Sequence, residues 1–91
     1  MEFEWDPNKA EHNLKKHGVD FVEASTVFVD PLSVTYLDPD HSAEEDRYII
    51  IGLSNRNRLL IVAHTDRGEI TRLISAREVT SPERNLYESE S

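Results

Sequence analysis

The sequence has no cysteine and little glycine or proline, and it contains no long hydrophobic run. Its 91 residues include no cysteine, three glycines and four prolines. Disulfides, zinc–thiolate sites and cysteine nucleophiles are therefore excluded, and a reducing compartment is favoured. The longest apolar run, YIIIGL, is too short to span a bilayer, and the acidic start MEFEWDPNK is not typical of a signal peptide. We expect a cytoplasmic protein with no membrane contact, built as a single domain over residues 1–91.

Basic residues are also scarce, with 10 Lys and Arg against 18 Asp and Glu and a formal net charge of −8. This balance argues against nonspecific binding of nucleic acid by the whole surface. The charges are unevenly distributed, however. Residues 38–46 carry five acids and no Lys or Arg, whereas residues 56–77 carry five arginines and two acids. The acidic segment lacks the glycine and the distal glutamate of a calcium loop, so we expect a solvated loop or a docking surface for a basic partner.

Local signals predict an α+β fold with the element order β-α-α-β-β-β-β-α, a small antiparallel meander sheet with N-terminal helices and a C-terminal helix. Asp6 and Pro7 indicate the start of the first helix, and Gly18 indicates its end. Asp20 begins a second, shorter helix that ends near Phe28. Strands are predicted at 3–5, 33–37, 47–53, 58–65 and 69–77, and a last helix at 80–88.

The two central strands, 47–53 and 58–65, do not alternate between apolar and polar residues. An antiparallel sheet with one face in water normally shows that alternation. Both faces of these strands therefore need cover, which the C-terminal helix provides if it wraps to the second face. The alternative is a partner chain. On this basis we expect a homodimer, or an exposed apolar patch on these two strands.

Arginines and one histidine are the candidates for chemistry. Arg67, Arg72 and Arg77 lie in or beside one predicted strand, and regular alternation predicts Arg72 and Arg77 on opposite faces. An arginine among apolar neighbours needs an anionic partner, either a carboxylate of the same chain or a bound phosphate. His64, at a strand end, is either an acid–base group for phosphodiester cleavage or a hydrogen-bonded structural histidine. No metal site, cofactor, nucleophile elbow or phosphate loop is predicted.

The sequence as a whole resembles the BrnT family of bacterial toxins. The likeness covers about residues 3–88 and lies in FEWDPNKAEHNLKKHGVDFVEA, VFVDP, YIIIGLS, RLLIVAHTDRG and TRLISAREVTSPERNLYE. The resemblance implies a RelE-like fold and the toxin half of a type II toxin–antitoxin pair. It implies a metal-independent endoribonuclease that halts translation. It also implies neutralisation by a BrnA-like antitoxin, whose ribbon-helix-helix part binds operator DNA.

The resemblance also implies site residues. The positions that match the family pattern near a site are Lys16, His17, Arg67, Arg72, Arg77 and Arg84, and Tyr87 joins them by analogy with RelE-like sites. We expect Arg72 and Arg77 to hold the charge of the phosphorane and His64 to act as the base. The expected catalytic residues are therefore His64, Arg67, Arg72, Arg77 and Tyr87, and the expected RNA-binding residues are Lys16, His17 and Arg84. The alternative function is a non-catalytic interaction module that forms a homo-oligomer or a partner complex.

Overall fold

A computed structural model of the chain describes residues 1–38, 40 and 46–90, without the side chain of residue 90. Most of the predicted acidic loop lies outside these residues. Within them the elements follow the predicted order. The strands are β1 (Glu2–Glu4), β2 (Val34–Leu37), β3 (Tyr48–Leu53), β4 (Leu59–Arg67) and β5 (Ile70–Glu78). The helices are α1 (Pro7–His17), α2 (Phe21–Ser25) and α3 (Ser81–Glu90), with a 3₁₀ turn at Thr26–Val29.

Helix α1 begins and ends where the sequence predicts. The Asp6 carboxylate accepts a hydrogen bond from the Asn8 N–H at 2.8 Å, and Pro7 occupies the first turn, where its missing N–H costs nothing. Gly18 adopts φ +70° and donates its N–H to the carbonyl of Leu14 at 2.9 Å. This left-handed residue ends the helix. None of the described helices is both long and apolar enough to cross a membrane.

The sheet has the strand order β1-β5-β4-β3-β2. Strands β2 to β5 form the predicted antiparallel meander. Strand β1 adds a parallel partner at the far edge, where it pairs with residues 70–72 of β5 only. Among the described residues, no strand pairs with residues 73–78 of β5 on that side, and α1 lies along this open edge.

The side chain of Asn13 in α1 takes the place of a strand at the open edge of β5. Its amide nitrogen donates to the carbonyl of Ala76 at 2.8 Å, and its oxygen accepts from the Ala76 N–H at 3.0 Å. The same nitrogen also donates to the carbonyl of Val19 at 2.9 Å. Because Asn13 is buried, these contacts satisfy backbone groups that water does not reach. They fix the last turn of α1 beside β5.

A β-bulge changes which arginines share a face. The register between β4 and β5 shifts once, between residues 63 and 64 of β4. Arg72 lies opposite Thr65, and Arg77 lies opposite Ile61. Residues 61 and 65 are an even number apart on a regular strand, so both arginines are on the same face. The prediction that Arg72 and Arg77 face opposite ways is wrong, because the alternation of β5 is interrupted at the bulge.

The chain covers both faces of its own sheet. One face, which includes Val62, packs on α1, α2 and the 3₁₀ turn. The other, which includes Ile51, packs on Tyr87 of α3. Ile51 and Val62 are fully buried. The expectation of an exposed apolar patch on these strands is therefore wrong for most of their length, because α3 wraps to the second face. Leu53, at the end of β3, is 42% exposed.

Two polar contacts attach α3 to the sheet. Arg77 donates from both terminal nitrogens to the Glu83 carboxylate, each at 2.8 Å. The hydroxyl of Tyr87 donates to Asp30 at 2.7 Å, and the Leu53 N–H donates to the same carboxylate oxygen at 2.8 Å. Burial alone would raise the pKa of Asp30, but its hydrogen bonds lower it. Burial and the bond to Asp30 raise the pKa of Tyr87 to about 12.

Candidate active site

A groove of about 310 Å³, hereafter the first groove, opens on the sheet face that carries α3. Its floor is formed by cross-strand neighbours: Ile49 lies opposite Ala63, and Ala63 lies opposite Ser75. Ala63 and Ser75 are small, so the floor is recessed between larger side chains. The groove is lined by His17, Asp38, Arg47, Ile49, Ile61, Ala63, Ser75, Ala76 and Arg77.

An imidazole and a guanidinium meet in the first groove. His17 is the last residue of α1, one helical turn after Asn13, and it is half-buried. Arg77 extends from β5, and its ion pair with Glu83 raises the pKa of the guanidinium. The hydrogen bond from Arg77 lowers the pKa of Glu83 to about 2, against the opposing effect of burial. The groove is therefore lined by one histidine and by two arginines, Arg47 and Arg77, which are permanent cations.

A second groove, of about 330 Å³, adjoins the first along α1, and His17 and Ser75 line both. Among the described residues, the side chains that line it include no carboxylate. Lysine side chains thus lie along the open edge of β5, although the chain has a net charge of −8. The second groove is lined by Asn8, Lys9, His12, Asn13, Lys16, His17, Ile74 and Ser75.

Several acids are paired outside both grooves. These ion pairs join Glu4 to Arg72, Glu11 to Lys15 and Glu23 to Arg58. Over the described part of the chain, no three histidine, aspartate or glutamate side chains lie close enough together to hold a metal ion.

His64 lies on the other face of the sheet from the first groove. Its ring packs against Phe28 and Tyr48, with ring centroids 4.8 and 5.9 Å apart. Its Nδ1 is 3.3 Å from the carbonyl of Val62. Burial lowers the pKa of His64, and the weaker effects of that carbonyl and of Asp66 oppose the change. The ring contacts and the burial of His64 are typical of a structural histidine, which is one of the two alternatives that the sequence left open.

Three of the expected site residues come together. Arg77 and His17 line the first groove, and Lys16 lines the second. From the sequence, Arg77 was expected to act in catalysis, and His17 and Lys16 were expected to bind RNA. The last turn of α1 and the open edge of β5 bring these three side chains together.

Four other expected site residues line neither groove. Arg67 is exposed at the end of β4, and Arg72 forms an ion pair with Glu4 at 2.6 Å where β1 meets β5. Helix α3 carries Arg84, which is exposed, and Tyr87, whose hydroxyl contacts the loop before β2. Their catalytic or RNA-binding roles stay predictions.

The sequence reasoning missed Asp38, Arg47 and Ser75 as groove residues, and Asn13 as the residue that positions α1. Asn13 carried a signal, since it lies one turn before His17 on the face of α1 that meets the sheet. A polar residue there indicates a buried hydrogen bond. Asp38 and Arg47 carried no such signal. They meet through strand pairing, with the Asp38 N–H donating to the carbonyl of Arg47 at 2.7 Å.

Comparisons with known proteins point to one family. The family model described as "Ribonuclease toxin, BrnT, of type II toxin-antitoxin system" matches residues 5–83. Among solved structures, the chain is similar to the crystal structure of the ribonuclease toxin BrnT of Brucella abortus, with a TM-score of 0.70 and 25% sequence identity. That similarity covers 89% of this chain and 99% of the Brucella chain. No curated protein matches the sequence.

Proposed function

Because the chain belongs to the BrnT family of ribonuclease toxins of type II toxin–antitoxin systems, we propose that it cuts RNA in the first groove and thereby inhibits translation. The observation that carries this proposal is that His17 and Arg77 line the same groove. Residues 1–91 act as one domain in the cytoplasm, where messenger RNA is translated. Membership of a toxin–antitoxin family also implies an antitoxin partner.

The proposed chemistry needs one base and one cation. His17 takes the proton of a ribose 2′-hydroxyl, and the 2′-oxygen attacks the adjacent phosphorus. Arg77 holds the negative charge that develops on the phosphorane oxygens. The bond to the 5′-oxygen breaks, and that oxygen takes a proton from water. The products are a 2′,3′-cyclic phosphate and a 5′-hydroxyl, and no step requires a metal ion.

This proposal gives the role of base to His17 in place of His64. His64 is 4% exposed and lies on the face that packs against the helices, so its imidazole has little contact with solvent. We assign a structural role to Arg72, which attaches β1 through Glu4, and to Tyr87, which attaches α3. Lys16 keeps its expected role in binding RNA.

For the partner we propose a BrnA-like antitoxin whose ribbon-helix-helix part binds operator DNA, so that the toxin reaches DNA only through it. The exposed apolar side chains of Val29, Leu32 and Leu53 support a contact at the loop around Asp30. The acidic surplus of the chain favours a basic partner and speeds its association. A homodimer through the same apolar side chains is the alternative assembly.

The test is expression of single variants without antitoxin, with growth and RNA integrity as readouts. We expect the wild type to arrest growth, and His17→Ala and Arg77→Ala to lower RNA cleavage by about 100-fold or more. Arg72→Ala is the matched arginine control outside the grooves and should stay toxic. Glu83→Gln also breaks the pair with Arg77 but keeps the guanidinium, so it should stay toxic as well.

Two results would contradict the proposal. One is a folded Arg77→Ala or His17→Ala protein that cuts RNA at the wild-type rate. The other is a wild type that neither arrests growth nor cuts RNA, which would favour the non-catalytic interaction module.

A further inference from the structure

The second groove is not needed for the chemistry proposed above, yet it is continuous with the groove where that chemistry would occur. We propose that it binds the neighbouring nucleotide of a single-stranded RNA, the one beyond the two joined by the cleaved bond. This inference rests on the proposed function and adds one binding subsite to it.

Continuity of the two grooves is the first support. An RNA chain cut at His17 must extend beyond the cleaved phosphate. His17 and Ser75 line both grooves, so the path from the first groove leads over the open edge of β5. Strand β1 does not block this path, because it pairs with residues 70–72 only.

The chemistry of the lining is the second support. Lys9 and Lys16 are exposed along α1 and offer cations to phosphate oxygens, and His12, also exposed, offers ring nitrogens for hydrogen bonds. Ile74 is half-buried at the bulge of β5 and provides an apolar surface for a base or a ribose. The side-chain amide of Asn8 adds a hydrogen-bonding group. An apolar surface with a few convergent polar groups is the usual composition of a small-ligand site.

The size of the groove is that of a site for a small ligand. Its volume of about 330 Å³ lies at the lower end of the range of roughly 300–1,000 Å³ for such sites. A single nucleotide of an RNA chain is a ligand of this class.

The test compares Lys9→Ala with Lys15→Ala. Both remove one lysine of α1, but Lys15 lines neither groove and pairs with Glu11 at 3.0 Å. The first readout is the ratio of kcat/KM for a single-stranded RNA hexanucleotide to that for a dinucleotide. We expect Lys9→Ala to lower this ratio by about five- to tenfold, and Lys15→Ala to leave it unchanged.

The second readout does not depend on cleavage. A hexanucleotide with methylated 2′-hydroxyls is not cut, and its affinity is measured against salt concentration. The slope of log K against log salt should decrease in magnitude by about 0.7 for Lys9→Ala and stay unchanged for Lys15→Ala.

Equal effects of the two substitutions on the ratio and on the slope would overturn the inference. The inference would also be overturned if Lys9→Ala no longer bound an acidic peptide but still bound RNA. The groove would then be a site for a protein segment. If the wild type cuts neither substrate, the proposed function fails, and the salt slope still decides whether this groove binds RNA.

Discussion

Arg77 belongs both to the first groove and to the attachment of α3. Its guanidinium lines the groove, while its terminal nitrogens donate to Glu83 at 2.8 Å each. A phosphate that enters the groove therefore meets a cation whose orientation is already fixed, which reduces the entropy cost of positioning. The Thr80 N–H also donates to Glu83 at 2.9 Å, so the carboxylate holds the start of α3 as well.

Replacing Glu83 by glutamine should make the stability of the protein less sensitive to acid. The hydrogen bond from Arg77 holds the pKa of Glu83 at about 2, below its ordinary value of 4.5. The carboxylate therefore stabilises the fold above pH 4.5, and this contribution is lost as the pH falls towards 2. We expect Glu83→Gln to lower the free energy of unfolding by about 1 kcal/mol at pH 7. In urea denaturation, the difference from wild type should shrink towards pH 2, and a difference independent of pH would contradict this account.

At the scale of elements, the position of α1 against β5 creates the site. Capping residues close in sequence determine where α1 begins and ends, so its bounds were predictable from Asp6, Pro7 and Gly18. The position of Asn13 on the sheet-facing side of α1 indicates a buried hydrogen bond, but no local signal identifies its partner Ala76, which lies 63 positions away. The parallel pairing of β1 and the bulge in β5 likewise depend on strands distant in sequence. The elements were therefore predictable, whereas the set of side chains that share the groove was not.

Loss of the Asn13 amide should detach α1 from the edge of β5. Asn13→Ala leaves the N–H and carbonyl of Ala76 and the carbonyl of Val19 buried without their partner. We expect the free energy of unfolding to fall by about 3 kcal/mol, measured by chemical denaturation. Asn85→Ala, at an exposed position of α3, is the control and should change it by less than about 0.5 kcal/mol. Equal effects of the two substitutions would contradict the role given to Asn13.

At the scale of the whole molecule, net charge and apolar content were both poor guides to function. The chain has a net charge of −8, yet its two grooves are lined by lysine, arginine and histidine side chains with Asp38 as the one carboxylate among the described residues that line them. The sequence also indicated more apolar surface than the helices could cover, but α3 covers the second face of the sheet. Both features, the cationic lining of the grooves and the cover of the second sheet face, depend on contacts between residues that are far apart in sequence. Among the exposed apolar side chains of the described residues, Val29, Leu32 and Leu53 lie around the loop at Asp30 and form the surface proposed for the antitoxin.

The most direct test of the central claim is cleavage of a single-stranded RNA hexanucleotide by the purified chain in the presence of EDTA. We expect products that end in a 2′,3′-cyclic phosphate and a 5′-hydroxyl, and no cleavage where the attacking 2′-hydroxyl is replaced by hydrogen. We also expect His17→Ala to lower the rate by about 100-fold or more. Cleavage in the first groove would be contradicted by intact RNA with the wild type, by equal cleavage of the 2′-deoxy substrate, or by a wild-type rate in His17→Ala.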